Sequence, residues 1–248
     1  MLRRAVLIAC CLIPLSLQAA EKIPSYITTA VADAGRPAED KERDANRKPA
    51  ETVLFAGIKP GSTVVELFPG RGYFTRIFSK VVGPKGKVYA VSPPRVPDAS
   101  AATKAIASDP GYSNVVVRVA KPPALNVFVP ADVVFTAQNY HDVHNVPNID
   151  LAAFNKTVFD ALKPGGVFIV VDHAAAEGSG ARDTATLHRI DPATVKSEVT
   201  AAGFEFVGES KVLANPQDDR SSKVFDSGIR GKTDQFIYKF RKPKHKKK

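Results

Sequence analysis

The sequence predicts an α/β protein: a mostly parallel seven-stranded sheet, helices on both faces, and the last strand antiparallel. Three observations carry this. Apolar runs alternate with helical patterns from residue 63 to residue 203, the signature of parallel strands joined by crossover helices. The first run ends in an acid and turns through glycines, Glu66-Leu67-Phe68-Pro69-Gly70-Arg71-Gly72, before a helix begins. The last run, 235–238, follows the sixth through a long polar loop without a clear helix, so it returns antiparallel.

At 248 residues with 44% apolar side chains, the chain is one large domain with decorations. Residues 1–20 stand apart. Met1-Leu2-Arg3-Arg4 is a basic start, 5–17 is apolar with Pro14 as a breaker, and Leu17-Gln18-Ala19-Ala20 ends in small residues. This order predicts a secretory signal peptide, cleaved after Ala19 or Ala20, and an exported, periplasmic protein. The apolar run is shorter than the roughly 20 residues a spanning helix needs, so no transmembrane segment is expected in the mature chain. Leu7-Ile8-Ala9-Cys10 resembles a lipobox, but almost no hydrophobic region precedes Cys10, so a lipoprotein is the lesser alternative. Cys10 and Cys11 are the only cysteines. The mature chain therefore excludes a disulfide framework, a thiolate zinc site and a cysteine nucleophile.

The net charge of +10 is concentrated at the ends, with Arg3 and Arg4 at the start and seven basic residues within 239–248. Such a tail reads as a solvated appendage able to touch anionic surfaces. It has no interleaved aromatic platform, so no specific nucleic-acid partner is expected. The predicted organisation is a signal peptide at 1–20, an N-terminal arm at 21–48, a domain at 49–240 and a basic tail at 241–248.

Along the arm, 26–32 fits a short helix, broken by Gly35-Arg36-Pro37, and the charge run 39–44 fits a solvated helix face. Pro49 suits a first helical turn, and Val53, Leu54 and Ile58 supply its apolar contacts before Lys59-Pro60-Gly61. The first strand is Thr63–Leu67. The next helix starts at about Tyr73; Phe74, Ile77, Phe78 and Val81 make one stripe, and Gly83 stops it. The second strand is 87–91, a weak helix spans 99–108, and strands three and four are 114–119 and 131–136. A polar loop, 138–148, precedes a helix marked by Leu151, Phe154, Val158 and Leu162. Lys163-Pro164-Gly165-Gly166 stops that helix before the fifth strand, 167–171, a continuous apolar run suited to a strand covered on both faces. Residues 174–187, rich in Gly, Ala and Ser, read as a mobile loop. Asp191-Pro192 is an N-cap followed by N1, Val195, Val199 and Ala202 face inward, and Gly203 ends the helix. The last strands are 204–207 and 235–238.

Ligands of such sheets bind beyond the carboxyl ends of the strands. Of five histidines, His141 and His144 follow the fourth strand, His173 the fifth, and His188 the loop after it. They gather on the rim that holds Gly70 and Gly72, where a missing side chain lets the backbone approach a ligand.

At this point the chain resembles the class I S-adenosylmethionine-dependent methyltransferases, which have a Rossmann-like sheet. Residues 66–72 resemble that family's first motif, Ala131-Asp132-Val133-Val134 its fourth-strand motif, and Leu162-Lys163-Pro164-Gly165-Gly166-Val167-Phe168-Ile169 its segment before strand five. Asp44 with Arg47-Lys48-Pro49, residues 55–61, and Asn139-Tyr140-His141-Asp142 are similar to a little-characterised branch of predicted methyltransferases. The resemblance covers 44–240 and implies seven strands with the last inserted antiparallel. It implies S-adenosyl-L-methionine as cofactor, and the acceptor expected is a small molecule, with a peptide as the alternative. By position, Gly70 and Gly72 would pack on the cofactor's methionine part, Glu66 would bind its amino group directly or through water, and Asn139 and Tyr140 would line it. Ser92 stands where the family has an acid for the ribose hydroxyls; a serine can make one such bond, and Asp98 lies nearby. Phe68 stands where the family has its first glycine.

Methyl transfer needs in-line geometry, and a base when the nucleophile carries a proton. His141 is the candidate base, and Tyr140 a candidate to position substrate or to stack on adenine. His173 and the His188-to-Asp191 segment could bind an anionic substrate or order the long loop, with Asp191 the expected helix cap. His141, Asp142, His144 and His173 offer metal-ligand atoms, but their spacing is not diagnostic and no metal is assigned. A non-catalytic extracytoplasmic ligand-binding protein of the same fold is the alternative. A nicotinamide-dependent oxidoreductase fits less well, because the third glycine of its fingerprint and the acid ending strand two are missing.

Overall fold

The structure, a computed structural model, describes residues 22–94 and 97–244, with the backbone alone at 97–100. The predicted signal peptide with its cleavage site, and the end of the tail, lie outside the described residues.

Seven strands form one sheet: β1 Thr63–Leu67, β2 Lys87–Ser92, β3 Val115–Val119, β4 Ala131–Ala137, β5 Leu162–His173, β6 Glu205–Ser210 and β7 Gln235–Arg241. Their spatial order is β3-β2-β1-β4-β5-β7-β6. β1 to β5 pair in parallel, and β7 lies antiparallel between β5 and β6. The chain moves outward from β1 to β3, then returns to the other side of β1 with β4. β1 and β4 therefore flank the switch point of the sheet, where a crevice opens at their carboxyl ends.

The helices are α1 Ser25–Val31, α2 Ala38–Glu42, α3 Asp44–Arg47, α4 Pro49–Ala56, α5 Tyr73–Val82, α6 Pro97–Ser108, α7 Tyr140–Val143, α8 Leu151–Ala161 and α9 Pro192–Ala201. They cover both faces, and two cores result. Alternation along β1 sends Val64 into one core with α1, α4 and α5, and Val65 and Leu67 into the other with α7, α8 and α9. The predicted stripe of α5 is buried, and Phe74 and Phe78 pack on Phe135 of β4 with ring centroids 4.9 Å away in each case.

Several expectations need correction. The 39–44 charge run is solvated only in part: Glu39, Lys41, Glu42 and Arg43 are exposed, but Asp40 is buried, and Asp44 accepts two bonds from Arg36 and one from the Tyr73 hydroxyl. With Ile27 and Ala30 of α1 in the core, the N-terminal segment packs on the domain. The polar loop 138–148 contains α7, whose Tyr140, His141 and Val143 are buried. Residues 174–187 are anchored: Ala174 and Ala175 are buried, and the buried Arg189 forks onto Asp218 while donating to Ala174 O. The basic tail begins as strand, since β7 runs to Arg241 and the Lys239 ammonium donates to Phe55 O. Lys242 likewise donates to Phe159 O and Leu162 O.

The Lys163-to-Gly166 segment lies at the amino ends of the strands, away from the crevice. A Cβ on Gly166 would lie 2.9–3.1 Å from three backbone carbonyl oxygens. Asp132 there accepts from the Thr63 amide and the Lys163 ammonium. This signature is therefore architectural: it closes β5 against β4 and β1.

Candidate functional site

The turn after β1 takes three left-handed residues, Phe68 (φ 53°), Gly70 (φ 55°) and Gly72 (φ 82°). Phe68 thus holds the backbone shape that glycine gives elsewhere in this motif, at a cost of about 1–2 kcal/mol for a residue with a Cβ. Its amide donates to Val91 O, and Asn139 Nδ2 donates to its carbonyl. The turn is therefore tied to the ends of β2 and β4. The two glycines differ. A Cβ at Gly70 meets nothing within 4 Å, whereas one at Gly72 would lie 2.2 Å from Ile106 Cδ1. Gly70 faces open space, and Gly72 caps α5 and admits α6.

Gly70 opens on a cleft of about 300 Å³ lined by Phe68, Pro69, Ser92, Asn139 and Val143, at the carboxyl ends of β1, β2 and β4. Ser92 is fully buried, and its hydroxyl has no hydrogen-bond partner among the described residues. An unpaired buried hydroxyl costs free energy, and this one borders an open cleft. The Asp98 side chain lies outside the described residues.

Glu66 is the penultimate residue of β1, beneath the turn and 3% exposed. Thr75 Oγ1 donates to its Oε2 at 2.6 Å. Burial pushes its carboxyl up to about 8, against the pull of Thr75, Arg47 and Arg76. Tyr140 is not brought to the cleft. It is buried, its hydroxyl donates to Glu198 and accepts from Asn155 Nδ2, and burial together with the Glu198 charge raises its pKa well above 10. The expected cofactor-lining and catalytic role of Tyr140 is corrected to a core position joining α7, α8 and α9.

His141 is buried. Its Nδ1 lies 2.8 Å from Asp172 Oδ1, and its amide donates to Asp172 Oδ2. Burial lowers the imidazole pKa, but the Asp172 carboxylate outweighs it and the net shift is upward. Nε2 faces Asp142 Oδ1 at 3.3 Å. His188 stands beside it, ring centroids 5.5 Å apart. His144 turns away to Glu198. His173 pairs through Nδ1 with the Thr233 hydroxyl, and burial lowers its pKa to about 4. The four rim histidines thus divide: His141 and His188 meet, His173 sits 6.1 Å from His141, and His144 serves α9. Asp191 caps α9, accepting from the Ala193 amide.

On the other side of the turn lies a second cleft, about 670 Å³, lined by Asp40, Arg43, Arg47, Arg76, Gln138 and His173 among others. Arg47 is held over the Tyr73 ring at 4.3 Å, and burial with the nearby Arg43 charge lowers its pKa to about 10. Sequence reasoning missed Asp172, Gln138 and this arginine wall. Asp172 carried a usable signal: it is the acid that breaks an apolar strand at its carboxyl end.

No protein-family profile matches the chain, and no curated protein matches it in sequence. Solved structures do. A SAM-dependent methyltransferase from Aquifex aeolicus superposes with a TM-score of 0.60 at 20% identity, covering 84% of this chain and 98% of that one. An arsenic(III) S-adenosylmethionine methyltransferase from Chlamydomonas reinhardtii gives 0.56 at 20% identity over 89% and 74% of the two chains. The [4+2]-cyclase SpnF gives 0.57 at 16% identity over 88% and 92%. Sheet order, antiparallel insertion and these superpositions agree that this chain has the Rossmann-like fold of the class I methyltransferases.

Proposed function

We propose that this protein is an S-adenosylmethionine-dependent methyltransferase acting on a small-molecule acceptor, and that it works after export to the periplasm. The fold alone does not decide this, since SpnF shares it as a cyclase. The observation that carries the reading is the pairing of Ser92 and Gly70 across one cleft: a buried hydroxyl without a partner among the described residues, and a backbone open to close approach. A ribose hydroxyl satisfies the first, and a bound chain over Gly70 uses the second. Asn139 lines the same cleft while holding the turn. Glu66 supplies the acid for the amino group, and Gly72 acts through the packing of α5 and α6.

The cofactor, when bound, supplies an electrophilic methyl on a sulfonium. This chain's residues bind, orient and exclude water around it. The arginine-lined cleft beyond the turn, whose lining includes Gln138 and His173, suits a small polar acceptor. A base role for His141 requires Nε2 to reach past Asp142 to the acceptor.

Calorimetric titration with S-adenosylmethionine and S-adenosylhomocysteine tests the reading. Saturable binding that Gly70→Val abolishes is expected; no binding at high ligand concentration overturns it. Export is tested separately by a reporter fused after residue 21, which should be active only outside the cytoplasm.

A further inference from the structure

We propose that His141, Asp142 and His188 form a binding site for a divalent first-row transition metal. His141 Nε2 lies 3.3 Å from Asp142 Oδ1. His188 Nδ1 lies 3.6 Å from the same oxygen. The three donor atoms all lie within 4.8 Å of one another. Ligand atoms at about 2.0–2.2 Å from a tetrahedral ion stand about 3.3–3.6 Å apart, so shifts of about 1 Å close the set. Two imidazoles and one carboxylate are borderline donors that suit zinc, iron, cobalt or nickel rather than magnesium. Three protein ligands leave a position open, the pattern of a reactive rather than a structural site.

The surroundings point the same way. Asp172, fully buried in β5, receives Nδ1 of His141 at 2.8 Å and also accepts the His141 and His173 amides. That bond fixes the ring and presents Nε2 on the side of the Asp142 carboxylate, 3.3 Å away, so both atoms are placed to share one cation. A carboxylate holding the far nitrogen of a ligating histidine is the usual support of such sites. His188 is also clamped, between the His141 ring at 5.5 Å and the Phe225 ring at 4.8 Å. His144 and His173 take no part, because Glu198 and Thr233 hold them.

The location gives the site a use. Asp142 lines the smaller cleft, and Phe225, packed on His188, lines the larger. The cluster stands on the wall between them. On the methyltransferase reading, on which this last step rests, the open position would hold an acceptor through a metal-ligating oxygen or sulfur. Coordination would also lower that atom's pKa, which removes the need for His141 as a base.

The test uses the untagged chain from residue 21 on, without the leader's Cys10 and Cys11, which would bind the ion themselves; it is stripped with a chelator and titrated with Co²⁺ while visible absorption is followed. One Co²⁺ per chain is expected, displaced by equimolar Zn²⁺ but not by equimolar Mg²⁺. The double variant D142N/H188N, on exposed and half-buried positions, should bind at least a hundredfold more weakly with an unchanged circular dichroism spectrum. Asp172→Asn should weaken binding about tenfold to a hundredfold, and His144→Asn should leave it unchanged. No saturable change in the wild type, unchanged binding by the double variant, or displacement by equimolar Mg²⁺ would each overturn the site. The double variant and the wild type are also titrated with S-adenosylmethionine. Cofactor binding without metal binding rejects this site alone; metal binding without cofactor binding rejects the methyltransferase reading alone.

Discussion

Replacing Glu66 with glutamine isolates the electrostatics at the end of β1. The carboxyl is 3% exposed, and burial moves its pKa from 4.5 to about 8. In the unfolded chain the proton leaves near the ordinary value; in the native state it stays until about pH 8. Between those limits the native state binds more protons, so this group makes stability fall as pH rises, by up to about 1.4 kcal/mol per pH unit. Over the whole interval the penalty is about 3–5 kcal/mol, fully present above pH 8 and absent below the unfolded pKa. Glutamine copies the neutral acid and keeps an oxygen for the Thr75 hydroxyl. Urea denaturation of both proteins across this range should therefore give curves that nearly coincide at the acid end. They should separate steadily towards pH 8, with Glu66→Gln the more stable. A constant difference at all pH values would refute the buried neutral carboxyl. A cation seated near Glu66 favours its charged form, so cofactor binding at neutral pH should release a proton in the wild type and release fewer in the variant. Calorimetry in two buffers of different ionisation enthalpy measures this.

Three further outcomes follow from the geometry. Phe68→Ala should be less stable than Phe68→Gly by about 1 kcal/mol, because both lose the ring but only glycine relieves the left-handed backbone; equal stability would mean φ 53° carries no strain. Ser92→Ala should leave stability unchanged or raise it by up to about 1 kcal/mol, since it removes an unpaired buried hydroxyl. The same change should weaken S-adenosylmethionine binding about threefold to tenfold, and unchanged affinity would place the ribose elsewhere. Asp218→Asn should cost about 3–5 kcal/mol in urea denaturation, because it strands the buried Arg189 guanidinium that now forks onto Asp218; a smaller loss would show water reaching that arginine.

Much of the scaffold is legible in one dimension. β1 lies at the predicted residues, and α5 starts at Tyr73 and stops before Gly83 as its stripe and glycine require. These are local signals: alternation, helical period and chain punctuation act within a few residues. The turn at 68–72 was legible for the same reason. Its left-handed shape was not, because Phe68 hides a backbone requirement that only pairing with β2 and β4 imposes. The strand-five signature was legible as a motif but not as to place; only the sheet puts it at the end opposite the crevice.

The sequence by itself determined the strand and helix order, the switch point that order implies, and the types of side chain available on the rim. Tertiary structure decided which of those side chains meet. Tyr140 and His141 are neighbours in the chain, yet one turn of α7 sends the tyrosine into the core against Glu198 and the histidine onto Asp172. His188 reaches His141 only because β5 and the anchored loop after it return to the same wall. Burial, which fixes the ionisation of Glu66 and leaves Ser92 without a partner among the described residues, is a property of packing across the sheet. No local pattern encodes it, because it depends on atoms brought together from far apart in the chain.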